Sequence, residues 1–277
     1  MRRLSLLLAL ALLLGACSSE ESEPGTDRLS STPAILIDTE TPEPDPTTPV
    51  AGDLRLSVAL PGGSEGEYLL HAPPTVERGR PMPLVLVFHG SPGSPEEMVR
   101  LTRFDALADT EDFLVVYPDY LNDVKDISAL IDHVAEVWPV DERRIYATGF
   151  SRGGTTTYAV AEQLADRIAA FAPVAGVDFG EFAPSRPTSL IAFQGGRDQL
   201  TDAFPDVNRA WARGSGCGDA VLSDVDLGGR PATRSVASCA DGASHVIYRI
   251  ERLGHVWPRG ATDLIWEFFQ AHPLVRS

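Results

Sequence analysis

The feature that most constrains the fold is a series of short apolar segments, most of which end in glycine. Near-continuous apolar runs of this kind are typical of strands buried on both faces of a sheet. The segments are PLVLVFHG (83–90), FLVVYPD (113–119), RIYATG (144–149), AAFAPVAG (169–176) and SLIAFQGG (189–196). Amphipathic helical patterns lie between them, for example at Ile127, Leu130, Ile131, Val134 and Trp138. The alternation predicts an α/β fold with a mostly parallel central sheet and helices on both faces.

Further elements are predicted around this series. A helix is expected to begin at Ser94, because Ser94 can cap it, Pro95 suits its first turn and Glu97 can complete a capping box. The residues expected on the buried face of this helix are Met98, Leu101 and Phe104. The other predicted elements are strands LRLSVAL (54–60), EYLLHA (67–72) and HVIYRIERLGH (245–255), and a terminal helix DLIWEFFQ (263–270).

Ser151 is the candidate nucleophile. It lies in GFSRG (149–153), which fits the pattern G-x-S-x-G, and this pattern stands between a predicted strand and a predicted helix. In that setting a serine occupies a strained turn with its Oγ exposed. The alternative is a strand-to-helix turn without chemistry.

The base and the acid that would activate Ser151 are expected to follow it in the chain, in the order acid and then histidine. The candidate base is His255 in the loop LGHVWP, because His245 opens a strand and His272 follows the terminal helix. The candidate acid is Asp198, just past a buried strand. The other carboxylates considered for this role are Asp178, Asp202 and Asp206.

Backbone N–H groups are the expected donors to a developing oxyanion. One is that of Arg152, directly after the serine, and the other is that of Ser91, in the loop after the strand LVLVF. His89 precedes the serine, so we expect it to fix this loop or to contact substrate rather than to act as the base. Trp257, in the same loop as His255, is a second candidate for substrate contact.

The N-terminal region has the pattern of an export signal. Arg2 and Arg3 precede a short apolar run, and the signal ends at Cys17 in LLGAC, similar to a bacterial lipobox. We predict a signal over residues 1–17 with lipidation of Cys17, a disordered tether rich in Ser, Thr, Glu and Pro over 18–52, and a catalytic domain over 53–277. An exported lipoprotein held at the cell envelope, or a secreted protein, follows from this prediction. The alternative is an ordinary signal peptide with an incidental cysteine.

The other two cysteines are one possible disulfide pair in an oxidising compartment, Cys217 with Cys239. The alternative is two buried free thiols. Neither cysteine lies in a C-x-x-C pattern or near a suitably spaced histidine, so we predict no metal site there, and no cofactor. The net charge of −16 argues against a nucleic-acid partner.

Several separated segments together closely resemble the polyhydroxybutyrate depolymerase/feruloyl esterase group of α/β-hydrolases. They occur in the order LVLVFHG, LTRFDALADTEDFLVVYPD, ALIDHVAEVWPVDERRIYATGFSRGG and CADGASHVIYRIERLGHVWP. The resemblance implies the α/β-hydrolase fold and hydrolysis of carboxylic esters through an acyl-enzyme on Ser151, with Asp198 and His255 as partners. It also fits a disulfide between Cys217 and Cys239.

The sequence departs from that group in three places that bear on the substrate, one of which is VWPRG (256–260) in place of the more usual tryptophan-proline-glycine. Arg152 stands where the group has a small residue or Asn, and the stretch after YPD is shorter than usual. A shortened loop suggests an open cleft that admits a polymer or a bulky ester. The alternatives to an esterase are a serine peptidase of the same fold and a non-catalytic surface-binding lipoprotein.

Overall fold

The structure is a computed structural model that describes residues 49–76, 80–121, 123–178, 180 and 182–275. The predicted signal, Cys17 and nearly all of the predicted tether lie outside the described residues. In the described part of the chain, no helix is both long enough and apolar enough to span a bilayer.

A ten-stranded sheet forms the centre of the described part of the chain. The strands are β1 (Gly52–Ala59), β2 (Glu65–Ala72), β3 (Met82–Phe88), β4 (Leu114–Pro118), β5 (Val140–Phe150), β6 (Ala170–Val174), β7 (Ser189–Gly195), β8 (Val221–Asp226), β9 (Pro231–Ser238) and β10 (Ser244–Ile250). Their order across the sheet is β1-β2-β4-β3-β5-β6-β7-β10-β9-β8. All neighbours from β4 to β10 are parallel, and antiparallel pairs close both edges. The predicted parallel sheet is confirmed.

Helices cover both faces of this sheet. They are α1 (Pro95–Thr102), α2 (Phe104–Glu111), α3 (Val124–Val137), α4 (Arg152–Gln163), α5 (Phe204–Gly214) and α6 (Ala261–Ala271), with a short 3-10 turn at Ala240–Gly242. Successive residues of β3 point to opposite faces: Leu84 and Leu86 join a core with α3, α4 and α5, whereas Val85 and Val87 join a core with α1, α2 and α6. Burial on both faces is the reason that this strand is a continuous apolar run.

The helix that begins at Ser94 differs from its predicted form. Ser94 does cap it, since its Oγ accepts a hydrogen bond from the N–H of Glu97 at 3.3 Å. However, the helix ends at Thr102, because Arg103 has the left-handed conformation (φ 57°) and turns the chain into α2. Met98 and Phe104 are buried as predicted, but Leu101 is 38% exposed. The prediction for Leu101 was wrong, because its side chain lines a cavity at the corner between α1 and α2.

Cys217 and Cys239 form a disulfide in the structure, closing a separation of 22 residues. Cys217 follows the end of α5 and Cys239 follows β9, so the bond ties the helix to the antiparallel edge of the sheet.

A buried histidine joins the other edge of the sheet to α2. His71, on β2, has its Nδ1 at 2.6 Å from an Oδ1 of Asp53 and its Nε2 at 3.1 Å from an Oδ1 of Asp109. Asp105 accepts a hydrogen bond from the Tyr117 hydroxyl nearby, at 2.6 Å. Potential metal-ligand atoms of Asp53, His71 and Asp105 lie within 4.8 Å of one another, a group that no sequence motif predicts. Because both ring nitrogens already face carboxylates, the arrangement favours a proton over a metal ion at His71.

Replacing His71 by glutamine is expected to destabilise the fold most at acidic pH. Burial disfavours the imidazolium, but the hydrogen bond with Asp53, the charge of Asp105 and the hydrogen bond with Asp109 outweigh it and raise the pKa of His71 above its ordinary value of 6.5. A group whose pKa is raised by folding stabilises fully below its unfolded-state pKa, and loses that effect as the pH rises through its folded-state pKa. Urea denaturation should show a loss of about 1–2 kcal/mol in the free energy of unfolding near pH 5.5, and a smaller loss near pH 8.5. An equal loss at both pH values would contradict the ion-paired state.

Candidate active site

Ser151 lies on a sharp turn between β5 and α4. Its backbone has φ 56° and ψ −116°, a conformation that non-glycine residues rarely adopt and that costs about 1–3 kcal/mol. Its N–H donates to the carbonyl of Val174 at 2.9 Å, which anchors the turn to β6. The turn also needs Gly153, because a Cβ there would lie 2.1 Å from the carbonyl oxygen of Phe88 at the end of β3. The glycine therefore allows the close contact between strand and turn that presents the serine side chain.

A continuous chain of hydrogen bonds joins Ser151, His255 and Asp198. The Ser151 Oγ lies 2.7 Å from the His255 Nε2, and the His255 Nδ1 lies 2.9 Å and 3.0 Å from the two carboxylate oxygens of Asp198. Since a carboxylate only accepts hydrogen bonds, Nδ1 carries the proton and donates it to Asp198. The lone pair of Nε2 is then free to accept the hydrogen bond from the Ser151 hydroxyl.

The surroundings of the two partners differ in their exposure to solvent. The Asp198 side chain is fully buried, while the His255 side chain is 24% exposed. An Oδ1 of Asp198 also accepts the N–H of Leu200 at 2.8 Å, which fixes the orientation of the carboxylate. The Phe150 ring lies beside the imidazole, with 5.0 Å between the ring centroids. The acid is thus shielded and oriented, and the base remains accessible to a substrate or to water.

The loops that carry the acid and the base are tied to each other. Asp198 follows β7 and His255 follows β10, and these strands are parallel neighbours. The N–H of Gly196 donates to the carbonyl of Ile250, and the N–H of Arg197 donates to that of Leu253, both at 2.8 Å. These bonds hold the two loops in register and account for the alignment of the carboxylate with the imidazole.

The alternative histidines have other partners or none. His272 donates from Nδ1 to the carbonyl of Phe268 at 2.7 Å, and its Nε2 lies 2.6 Å from the Ser244 hydroxyl. His245 lies within β10, and its Nε2 is buried without a hydrogen-bond partner among the described residues. Burial lowers the pKa of His245 to about 4, so this imidazole is neutral. Neither histidine is hydrogen-bonded to Ser151.

Two of the three alternative carboxylates are engaged elsewhere. Asp178 accepts the N–H of Gly180 at 3.0 Å, and Asp206 pairs with Arg209 on α5. The three carboxylates considered besides Asp198, namely Asp178, Asp202 and Asp206, make no described hydrogen bond to His255. Of the candidates drawn from the sequence, the structure brings together Ser151, His255 and Asp198.

The loop after β3 lies directly against Ser151. A Cβ added at Gly90 would lie 3.4 Å from the Cβ of Ser151. The N–H of Ser91 in this loop and the N–H of Arg152 at the start of α4 have no hydrogen-bond acceptor among the described residues. These are the two groups expected to bind an oxyanion, and that role stays a prediction.

His89 and Trp257 are each held in place by hydrogen bonds to neighbouring residues. His89 is buried: its Nδ1 donates to the carbonyl of Gly90 at 2.7 Å, and its Nε2 accepts the N–H of Tyr120 at 3.2 Å. Trp257 is buried too, and its indole N–H donates to the hydroxyl of Thr262 at 3.1 Å. These hydrogen bonds do not test whether the two side chains also contact a substrate, so that role stays a prediction.

Sequence reasoning missed Tyr120, which follows β4. The residue is 60% exposed, and its ring packs edge-on against the His89 ring, with 4.7 Å between the centroids. Its hydroxyl donates to the carbonyl of Gly93 at 3.3 Å, so it flanks the loop beside Ser151. The signal that could have identified it is an aromatic residue just beyond the carboxyl end of a parallel strand, where ligands bind in such sheets.

The chain is similar to known proteins over parts of its length. Residues 120–179 match the prolyl oligopeptidase family. A bifunctional acetylxylan esterase/xylanase of Neocallimastix patriciarum is 35% identical over 130 residues, which is 43% of this chain and 19% of the relative. Feruloyl esterase B of Piromyces equi is 39% identical over 85 residues, 28% of this chain and 16% of the relative. The chain thus matches less than a fifth of the length of either relative.

The fold has a counterpart among solved structures. The acetyl xylan esterase from Aspergillus awamori superimposes with a TM-score of 0.63 over 79% of this chain and 99% of that one, at 13% identity. This similarity shows the fold, and the order of strands around Ser151 agrees with it. The chain therefore has the α/β-hydrolase fold, and the two relatives that share segments of its sequence are named as esterases.

Proposed function

We propose that the protein is a serine esterase that hydrolyses carboxylic esters through an acyl-enzyme on Ser151. The observation that carries this proposal is the hydrogen-bonded chain from the Ser151 Oγ through His255 to the buried carboxylate of Asp198. Such an arrangement converts a weak hydroxyl nucleophile into a reactive one, because a base removes its proton as it attacks.

The acylation step follows from the positions of these groups. His255 Nε2 takes the proton of Ser151 Oγ while Oγ forms a bond to the ester carbonyl carbon. The N–H groups of Ser91 and Arg152 stabilise the resulting oxyanion. As the tetrahedral intermediate collapses, the imidazolium gives its proton to the leaving alcohol, and the acyl group remains on Ser151. Asp198 holds the imidazole in the required tautomer and stabilises the imidazolium.

Deacylation uses the same residues with water as the nucleophile. His255 takes a proton from water, the oxygen attacks the acyl carbon, and the second tetrahedral intermediate releases the carboxylic acid and returns the proton to Ser151. The exposed part of the His255 side chain, 24% of its area, provides the access that water needs.

For the substrate we propose acetyl or hydroxycinnamoyl esters of plant-type polysaccharides, with polyesters as a further option. The names of the acetylxylan and feruloyl esterases that share segments of this sequence support the former. The proposal also includes export and a lipid anchor on Cys17, supported by the N-terminal sequence alone. The match of residues 120–179 to the prolyl oligopeptidase family favours a serine peptidase as the second candidate.

A comparison of esters with amides tests the proposal. We expect steady-state hydrolysis of p-nitrophenyl acetate and butyrate with a burst of p-nitrophenol equal to the enzyme concentration where deacylation is slow. Prolyl peptide p-nitroanilides should be cleaved far more slowly. Preferential cleavage of the anilides would favour the peptidase, and absence of turnover with all of these substrates would contradict the serine esterase.

A further inference from the structure

A cavity of about 920 Å³ lies beside the loop that carries His255. Its walls come from three places: the corner between α1 and α2, the turn between β8 and β9, and the loop from Val256 to the start of α6. The turn and the loop are in direct contact, since a Cβ at Gly228 would lie 2.8 Å from the carbonyl oxygen of Arg259. Val256 directly follows His255 in the sequence, so the loop that carries the base of the proposed esterase also forms one wall of the cavity.

The charge of this cavity is opposite to that of the whole chain. The chain has 39 acidic and 23 basic residues, yet Arg103, Arg230 and Arg259 line the cavity against a single carboxylate, that of Asp263. Each wall contributes one of these arginines. None of their guanidinium groups forms an ion pair or a hydrogen bond with another described residue, whereas Arg144 and Arg167 are paired with aspartates. Three guanidinium groups that lack a partner in the described part of the chain form a positively charged site that suits carboxylates.

Apolar groups complete the lining of the cavity. Leu101 and Val256 are 38% and 49% exposed, and Trp257 and Pro258 lie in the same wall. The N-terminus of α6, with its cap residue Gly260 and with Thr262, also lines the cavity and adds the positive end of a helix dipole. A ligand that fits has apolar CH faces together with negative charges. Sugars that carry carboxylates combine both features.

We propose that this cavity binds uronic-acid sugars of an acidic polysaccharide whose ester group is hydrolysed at Ser151. This inference rests on the proposed function and narrows its substrate. A neutral polyester has no negative charge for the three arginines to bind. A polysaccharide that bears carboxylates can bind both to the guanidinium groups and to the apolar wall. The departure of Leu101 from its predicted buried position then has a role, because its side chain becomes part of the binding surface.

Direct binding tests the cavity without relying on catalysis. The Ser151→Ala protein is titrated by calorimetry with a galacturonic acid trimer and with a neutral xylose trimer. We expect binding of the acidic trimer only, weakened when NaCl rises from about 0.05 M to about 0.5 M, because exposed ion pairs are screened by salt.

The variant Arg103→Gln/Arg230→Gln/Arg259→Gln should lose about tenfold in affinity or more. The control Arg252→Gln, an exposed arginine outside the cavity, should keep the affinity. Equal binding of both trimers, or binding unaffected by the triple substitution, would overturn the inference.

Kinetics then separate this inference from the proposed function. The substrates are two acetylated oligosaccharides that differ only in carrying a uronic acid. In the wild type we expect kcat/KM for the acidic substrate to be about tenfold higher than that for the neutral one. In the triple variant we expect the two kcat/KM values to be equal. Equal values in the wild type would overturn the inference and leave the esterase intact. No turnover of either substrate, with galacturonate binding retained, would contradict the esterase and support the cavity.

Discussion

Replacing Ser151 by alanine is expected to abolish ester hydrolysis, with kcat lowered by roughly 10⁵-fold to 10⁶-fold. The substitution removes the only atom of the chain that bonds to the acyl group in the proposed mechanism. His255 would keep its hydrogen bonds with Asp198 but would have no hydroxyl to deprotonate. The first measurement is the rate of hydrolysis of p-nitrophenyl acetate. The second is the mass of the protein after reaction with a fluorophosphonate. This reagent should add covalently to the wild type and not to the variant.

The Ser151→Ala variant should fold normally, because alanine keeps the Cβ and so meets the same backbone strain at φ 56° as serine does. Its thermal unfolding should match that of the wild type. A control, Ser57→Ala, removes an exposed hydroxyl on β1 and should retain activity and labelling. Activity of Ser151→Ala within about tenfold of the wild type would show that another group is the nucleophile, since loss of a true nucleophile costs several powers of ten.

The centre of the sheet could be predicted from the sequence because burial on both faces leaves an unmistakable pattern. All seven residues of β3 and all seven of β7 are buried, and both strands read as apolar runs. The edge strand β8 has no such pattern of apolar residues. Five of the six residues of β8 are exposed, so no apolar periodicity marks the strand. Pairing with β9 across a short turn defines β8, and an exposed edge strand lacks the half-buried alternation that would mark it in the sequence.

Helix α5 has an amphipathic pattern in the sequence that could have predicted it. Its buried residues Phe204, Val207 and Trp211 recur at helical spacing, and Pro205 suits the first turn. The segment is short and lies between a loop rich in Asp and a glycine-containing turn, which obscures the pattern. The corner at Arg103 is the opposite case, because nothing in its side chain predicts a left-handed residue there.

The serine, the acid and the base could be located from the sequence because each follows a predicted parallel strand. The carboxyl ends of such strands meet at one edge of the sheet, so Ser151, Asp198 and His255 were expected near one another before any distance was known. Side-chain direction within a loop has no such rule. His89 and Trp257 lie in the expected loops, but their hydrogen bonds with Tyr120 and Thr262 are tertiary contacts that no pattern in the sequence predicts.

Replacing Asp198 by asparagine is expected to lower kcat by about 10³-fold to 10⁴-fold with little change in the fold. The buried carboxylate accepts the proton of His255 Nδ1, and an asparagine amide can instead donate to Nδ1 and stabilise the other tautomer. In that tautomer Nε2 carries the proton and cannot accept the one on Ser151.

The matched control is Asp178→Asn, since Asp178 also follows a strand of the sheet but is bound to Gly180 and not to His255. Stopped-flow measurement of the acylation burst with p-nitrophenyl acetate should show slow acylation in Asp198→Asn and an ordinary rate in Asp178→Asn. If the control lost as much activity as Asp198→Asn, the loss would reflect a missing charge near the sheet, and the specific role of Asp198 in setting the tautomer of His255 would be wrong.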